Sequence, residues 1–80
     1  MNESGLYCIY DRVAEEAAPP FVARTDGVAI RQFMAALSQA PVSKDEFRLY
    51  KIGVWNASTM SVDGIAPLDI PISPKSEVEV

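Results

Sequence analysis

Eighty residues with eleven acids, seven bases and a net charge of −4 describe one small acidic domain. With no histidine and a single cysteine, Cys8, the chain lacks the usual general base and metal ligand. That excludes Ser-His-Asp and Cys-His catalysis, ordinary zinc chemistry and any internal disulfide, and the acidic balance opposes duplex binding driven by counterion release.

In chain order, GLYCIYDRV (5–13) predicts a first strand, rich in aromatic and β-preferring residues and apolar on both faces. EEAAPP predicts a loop, because Ala18 and Pro19 each precede a proline and are pushed out of the helical region. FVART (21–25) predicts a short second strand. Thr25 or Asp26 then caps a helix running from Gly27 to about Gln39. Ile30, Phe33, Met34 and Leu37 fall at i, i+3, i+4 and i+7, one apolar stripe, and Pro41 ends the helix.

SKDE leads into FRLYKIGVWN (47–56), a third strand with Tyr50, Ile52 and Val54 on one face and Phe47, Leu49, Lys51 and Trp55 on the other. NAST is a turn. A short fourth strand is expected around 59–62, with Asp63-Gly64 suited to a tight hairpin turn. Prolines 67, 71 and 74 oppose regular pairing beyond Gly64, so Ile65, Leu68, Ile70 and Ile72 are read as an extended arm over an apolar surface. PKSEVEV is polar enough to be weakly held.

The order predicts an α+β fold: a small antiparallel sheet (β-β-α-β-β), one helix on one face and a Pro-rich extended C-terminal arm. Residues 1–64 form the domain, and 65–80 form the arm and an acidic tail. The Tyr50/Ile52/Val54 face is expected to take the helix. The Leu49/Lys51/Trp55 face is left for the arm or a partner.

From Gly5 to Ser58 the acids Asp11, Glu15, Glu16, Asp26, Asp45 and Glu46 balance Arg12, Arg24, Arg31, Lys44, Arg48 and Lys51, so a local basic patch is allowed. No run approaches the ~18 apolar residues of a membrane span. The opening MNESGLYCIYDR lacks a signal peptide's basic start and apolar run, so a cytosolic protein with reduced Cys8 is expected. Asp26-Gly27 faintly suggests a phosphate turn, and Asp11, Glu15 and Glu16 a cation site. A capped helix start and solvated loop acids account for both.

IYD (9–11), PFVARTDGVAIRQF (20–33) and FRLYKIGVWN (47–56) carry a resemblance, spanning about Tyr7 to Asn56, to the small nonstructural protein of gokushoviruses, single-stranded DNA phages of the microvirus family. The resemblance implies a role in the cytoplasm of the infected bacterium, outside the mature virion, with DNA binding or a part in turning replication to single-strand production. It carries no catalytic signature and implies no cofactor, so the expected protein is not an enzyme.

Two uses of the second face stay open. In the first, Tyr10, Arg12, Arg24, Arg48, Lys51 and Trp55 hold single-stranded DNA, rings stacking on bases and cations meeting phosphates. In the second, the face is core or interface, since Tyr and Trp serve there equally well. Leu49, Trp55, Ile65, Leu68 and Ile70 would then meet a second copy, or a phage or host replication protein. Both uses predict a homo-oligomer, most simply a dimer formed by exchanging the arm or pairing edge strands, and no membrane contact.

Overall fold

A computed structural model describes residues 2–39 and 44–72. The elements are β1 (Glu3–Asp11), β2 (Glu16–Ala17), β3 (Phe21–Ala23), α1 (Asp26–Ser38), a 3-10 turn (Lys44–Glu46), β4 (Phe47–Asn56) and β5 (Ser61–Asp69). All pairings are antiparallel. The order is β2-β1-β4-β5, and β3 pairs β1 further along the same edge as β2. A sheet-dominated α+β fold with one helix is thus present. The EEAAPP loop contains the extra two-residue strand β2. It is closed by Asp11, whose carboxylate accepts from the N–H groups of Val13 and Ala14.

The helix forms as its sequence dictates. Thr25 caps it, its Oγ1 accepting from Val28 N–H at 3.2 Å, and Asp26 sits in the first turn where the dipole favours a negative charge. Ala29, Phe33 and Leu37 are buried, and Val28, Ile30 and Met34 pack beside them. Pro41, the expected stop, lies outside the described residues.

The helix covers the opposite sheet face from the one expected. Its apolar stripe meets Tyr7, Ile9, Phe21, Ala23, Phe47, Leu49 and Ile70. Directly opposed residues of a ladder share a face, and Ile9 opposes Leu49 while Cys8 opposes Tyr50. Tyr50 therefore points away from the helix, along with Cys8.

A bulge adds a second correction. Tyr7 opposes Lys51 but Leu6 opposes Gly53, so Ile52 is an extra residue and the alternation shifts by one. Beyond it Val54 opposes Gly5 on the helix side, and Trp55 opposes Ser4 on the open side. Gly53 is required here: a Cβ would meet Asp63 O at 2.8 Å, a backbone atom that cannot step aside. Gly53→Ala should destabilise by about 1–3 kcal/mol, the usual result of overpacking, measurable as a lower urea midpoint.

Tyr7 anchors the core and is 1% exposed. Its ring lies over Gly5, where a Cβ would come within 2.5 Å of it. Its hydroxyl donates to the Asp26 carboxylate, tying β1 to the start of α1. Burial first, then the Asp26 hydrogen bond and charge, hold the phenol protonated well above its ordinary value of 10.0. A folded-state pKa raised in this way contributes stability that is full below pH 10 and lost as pH climbs above it. Tyr7→Phe should therefore cost about 1–2 kcal/mol at neutral pH and flatten the alkaline limb of a stability-versus-pH curve. An alkaline limb unchanged by the substitution would remove Tyr7 as its source.

The C-terminal half of the sheet differs most from expectation. The turn into β5 is 57–60, built by Asn56 Oδ1 accepting from Ser58 and Thr59 N–H. Asp63-Gly64 lies inside β5, and the strand continues through Pro67 to Asp69. Ile70 N–H donates to Leu49 O, and the β4–β5 register breaks between Lys51–Leu68 and Gly53–Gly64, so that Ile65, Ala66 and Pro67 bulge opposite Ile52. The missing donor of Pro67 thus falls in a bulge of an edge strand, where a proline is tolerated. Residues 65–69 are strand, not arm. Ile70 is 5% exposed and closes the chain's own core, with Ile72 packed against it. The acidic tail from residue 73 lies outside the described residues.

Candidate nucleic-acid interface

With α1 on one side, the other sheet face has no covering element among the described residues. Cys8, Tyr10, Ala17, Tyr50, Ile52 and Pro67 line a shallow depression of about 340 Å³ there. Tyr10 and Tyr50 meet edge to face, ring centroids 6.1 Å apart at 81°. This is a diagonal cross-strand contact within reach of aromatic side chains. Burial in the sheet pushes the Cys8 thiol pKa upward, which makes it a packing residue, not a nucleophile. Register places Leu6, Trp55, Val22 and Val62 on the same side, and Val22 and Val62 are 44% and 53% exposed.

Two cations converge at one end of this face. Arg48 opposes Tyr10 across β1 and β4. Its Nη1 donates to Phe47 O at 3.2 Å and more weakly, at 3.5 Å, to Asp45 O. Arg12 Nη1 donates to that same Asp45 O at 3.0 Å. The two guanidinium ends therefore lie within about 7 Å of each other, where like charges repel by under ~1 kcal/mol in water. Each uses only Nη1 in these bonds and retains other fork donors for an anion. The carboxylates of Asp45 and Glu46, in the adjoining turn, moderate the local potential.

The expected residues therefore divide. Tyr10 and Trp55 lie on the open face, and Arg12 and Arg48 lie at its end, where Arg48 also lines a pocket with Phe33, Met34, Phe47 and Ile70 on the helix side. Lys51 opposes Tyr7 and Leu68 and belongs to the helix side, and Arg24 is exposed between β3 and α1. Leu49, 0% exposed, and Ile70 are core residues and unavailable to a partner. Ile65 and Leu68 are exposed on β5. Tyr50, Ile52, Cys8 and Leu6 are the additions that the exchange of faces brings. Gly53 within an apolar run was the available sign of a bulge.

The sheet edges are poorly suited to pairing with a second copy. β2 and β3 are two and three residues long, and β5 carries Asp63, Asp69 and Pro67. Short, charged and proline-bearing edges oppose strand addition. The open face is the larger sticky surface. Strands of 9–10 residues at ~3.3 Å each and ~4.8 Å apart give it roughly 30 by 15–20 Å, on the order of 500–600 Å². Stable complexes bury about 800 Å² per partner. The face is small for a permanent dimer and ample for a narrow ligand.

The structure defines a class: a small curled antiparallel sheet backed by one helix, with its other face aromatic and, among the described residues, uncovered. The family model described as Phage ORF5 protein matches residues 4–73, which takes in the whole sheet from Ser4 onward and the helix. The chain belongs to that family and is a phage protein. No curated protein and no solved structure matches it.

Proposed function

We propose that this phage protein binds single-stranded DNA on the open sheet face during genome replication or packaging, in the cytoplasm of a bacterium infected by a gokushovirus-like phage. The observation that carries this reading is the Tyr10–Tyr50 ring pair on an uncovered face, with Arg48 opposite Tyr10 and Arg12 beside it. Every base has a π-face, so stacking on such rings holds a strand without reading its sequence. The binding is non-enzymatic: it needs stacked rings and phosphate contacts, and no cofactor.

The charge predicts how this binding behaves. Two arginine contacts to phosphate give a slope of about −1.4 in log affinity against log salt for a single strand. Titrating a labelled oligo-dT at several salt concentrations measures it. No binding at low salt ends the proposal, and a slope several times steeper shows that other cations carry the contact.

A second reading rests on the depression in the middle of the same face, lined by Cys8, Tyr10, Ala17, Tyr50, Ile52 and Pro67 with no charged side chain, while the chain is at −4. A protein partner or a second copy then covers it, and the estimated area makes self-association weak and concentration-dependent. Sedimentation across a concentration series reports that association directly.

A further inference from the structure

We infer that the open face is a track with a fixed length and a defined anchor end, holding about four nucleotides per copy. This rests on the single-stranded DNA reading and deepens it. The track follows β4. Arg48 and Arg12 stand at one end, Tyr50 and its partner ring Tyr10 come next, and Trp55 stands at the other, on the open side because of the bulge at Ile52.

From Arg48 to Trp55 is seven residue steps, roughly 23 Å at ~3.3 Å per step. A single strand drawn out to about twice the 3.4 Å duplex rise spans that distance in three to four nucleotides. Among the described residues of this face, only the Arg end offers positive charge. At the Trp55 end the nearest acids, Glu3 and Asp63, oppose Asn56 and Val54 on the helix side, whereas at the Arg end Asp69 opposes Tyr50 and Asp45 and Glu46 adjoin the arginines. A phosphate therefore anchors beside Arg12 and Arg48, the first bases meet the tyrosines, and only a longer strand reaches Trp55. Anchoring in the reverse sense, with a phosphate held beside Trp55, would find no guanidinium among the described residues of this face.

Trp55 is the only tryptophan, so its emission reports that far end alone. The experiment titrates the full chain with dT2, dT4 and dT8 oligonucleotides, following Trp55 emission and, separately, anisotropy of labelled strands. The expected result is quenching by dT4 and dT8 and none by dT2, even at dT2 concentrations that compete for binding. Trp55→Ala should weaken dT4 and dT8 by about fivefold or more, one stacked base at the low end of its usual worth, and leave dT2 unchanged. If dT8 binds but dT2 quenches Trp55 as fully as dT4, the anchored track is wrong and the binding reading survives. If dT8 does not bind, both are lost.

Discussion

Leu49→Lys should leave the chain unfolded, whereas Ile52→Lys, three residues away on the same strand, should leave it folded. Leu49 is fully buried between β1, β5 and the helix. Truncating such a residue typically removes about 2–5 kcal/mol. A buried ammonium with no partner adds several more unless it loses its proton. The sum matches or exceeds the roughly 4–12 kcal/mol available to a domain of this size. Ile52 is half-buried on the open side, lining the depression with Tyr10 and Tyr50. A lysine there can carry its charge into water while its stem covers apolar surface. The expected change is about 1–2 kcal/mol, the partial loss of an isoleucine's burial. Urea melts followed by circular dichroism separate the two outcomes. Equal destabilisation by both substitutions would mean that the two faces are not the covered and uncovered sides described above.

The Ile52 variant also discriminates between occupants. A cation added in the middle of a nucleic-acid track should tighten binding and steepen its salt dependence, as one more phosphate contact does. The same cation in the middle of an apolar protein interface should weaken association, because a charge is desolvated without a partner.

Element positions were legible in the sequence; the side each strand presents was not. The capped helix and β4, with boundaries at Phe47 and Asn56, follow from local chemistry: a Thr25 cap, a 3.6-residue stripe, a run of β-branched and aromatic residues. The choice of face on β4 had no such local determinant, because Phe47 and Leu49 are as apolar as Tyr50 and Ile52. It is settled by Tyr7, whose hydroxyl reaches Asp26 at the helix start and fixes the helix on that side of β1.

The extent of β5 was hidden for a related reason. Pro67 reads as a strand breaker until the ladder places it, unpaired, in a bulge of the edge strand β5. Asp63-Gly64 has turn chemistry, but Asn56 captures the turn seven residues before Asp63 by accepting from the N–H groups of Ser58 and Thr59. The candidate site inherits these effects. Tyr10, Arg12, Arg48 and Trp55 were readable as residue types, and Tyr50 joined them only once the covered face was known.

Replacing both rings by leucine, Tyr10→Leu with Tyr50→Leu, should weaken oligo-dT binding by about 30-fold or more. Each base–ring stack is worth about 1–3 kcal/mol, so two at the low end give ~2 kcal/mol. The rings touch each other at 6.1 Å, so the single variants need not add to the double. Leucine is chosen because it keeps apolar contact and removes the π-face. Losing the Tyr10–Tyr50 edge contact itself costs about 0.5–1.5 kcal/mol of stability, which leaves the fold intact. Self-association driven by apolar area should survive the exchange, because leucine buries as readily as the ring it replaces. Anisotropy with labelled oligo-dT and sedimentation of the same samples therefore give opposite signatures for the two occupants. Lost DNA binding with unchanged association supports stacking on the tyrosines. Undiminished DNA binding by the double-leucine variant would place the bases elsewhere on the molecule and remove the ring pair from the site.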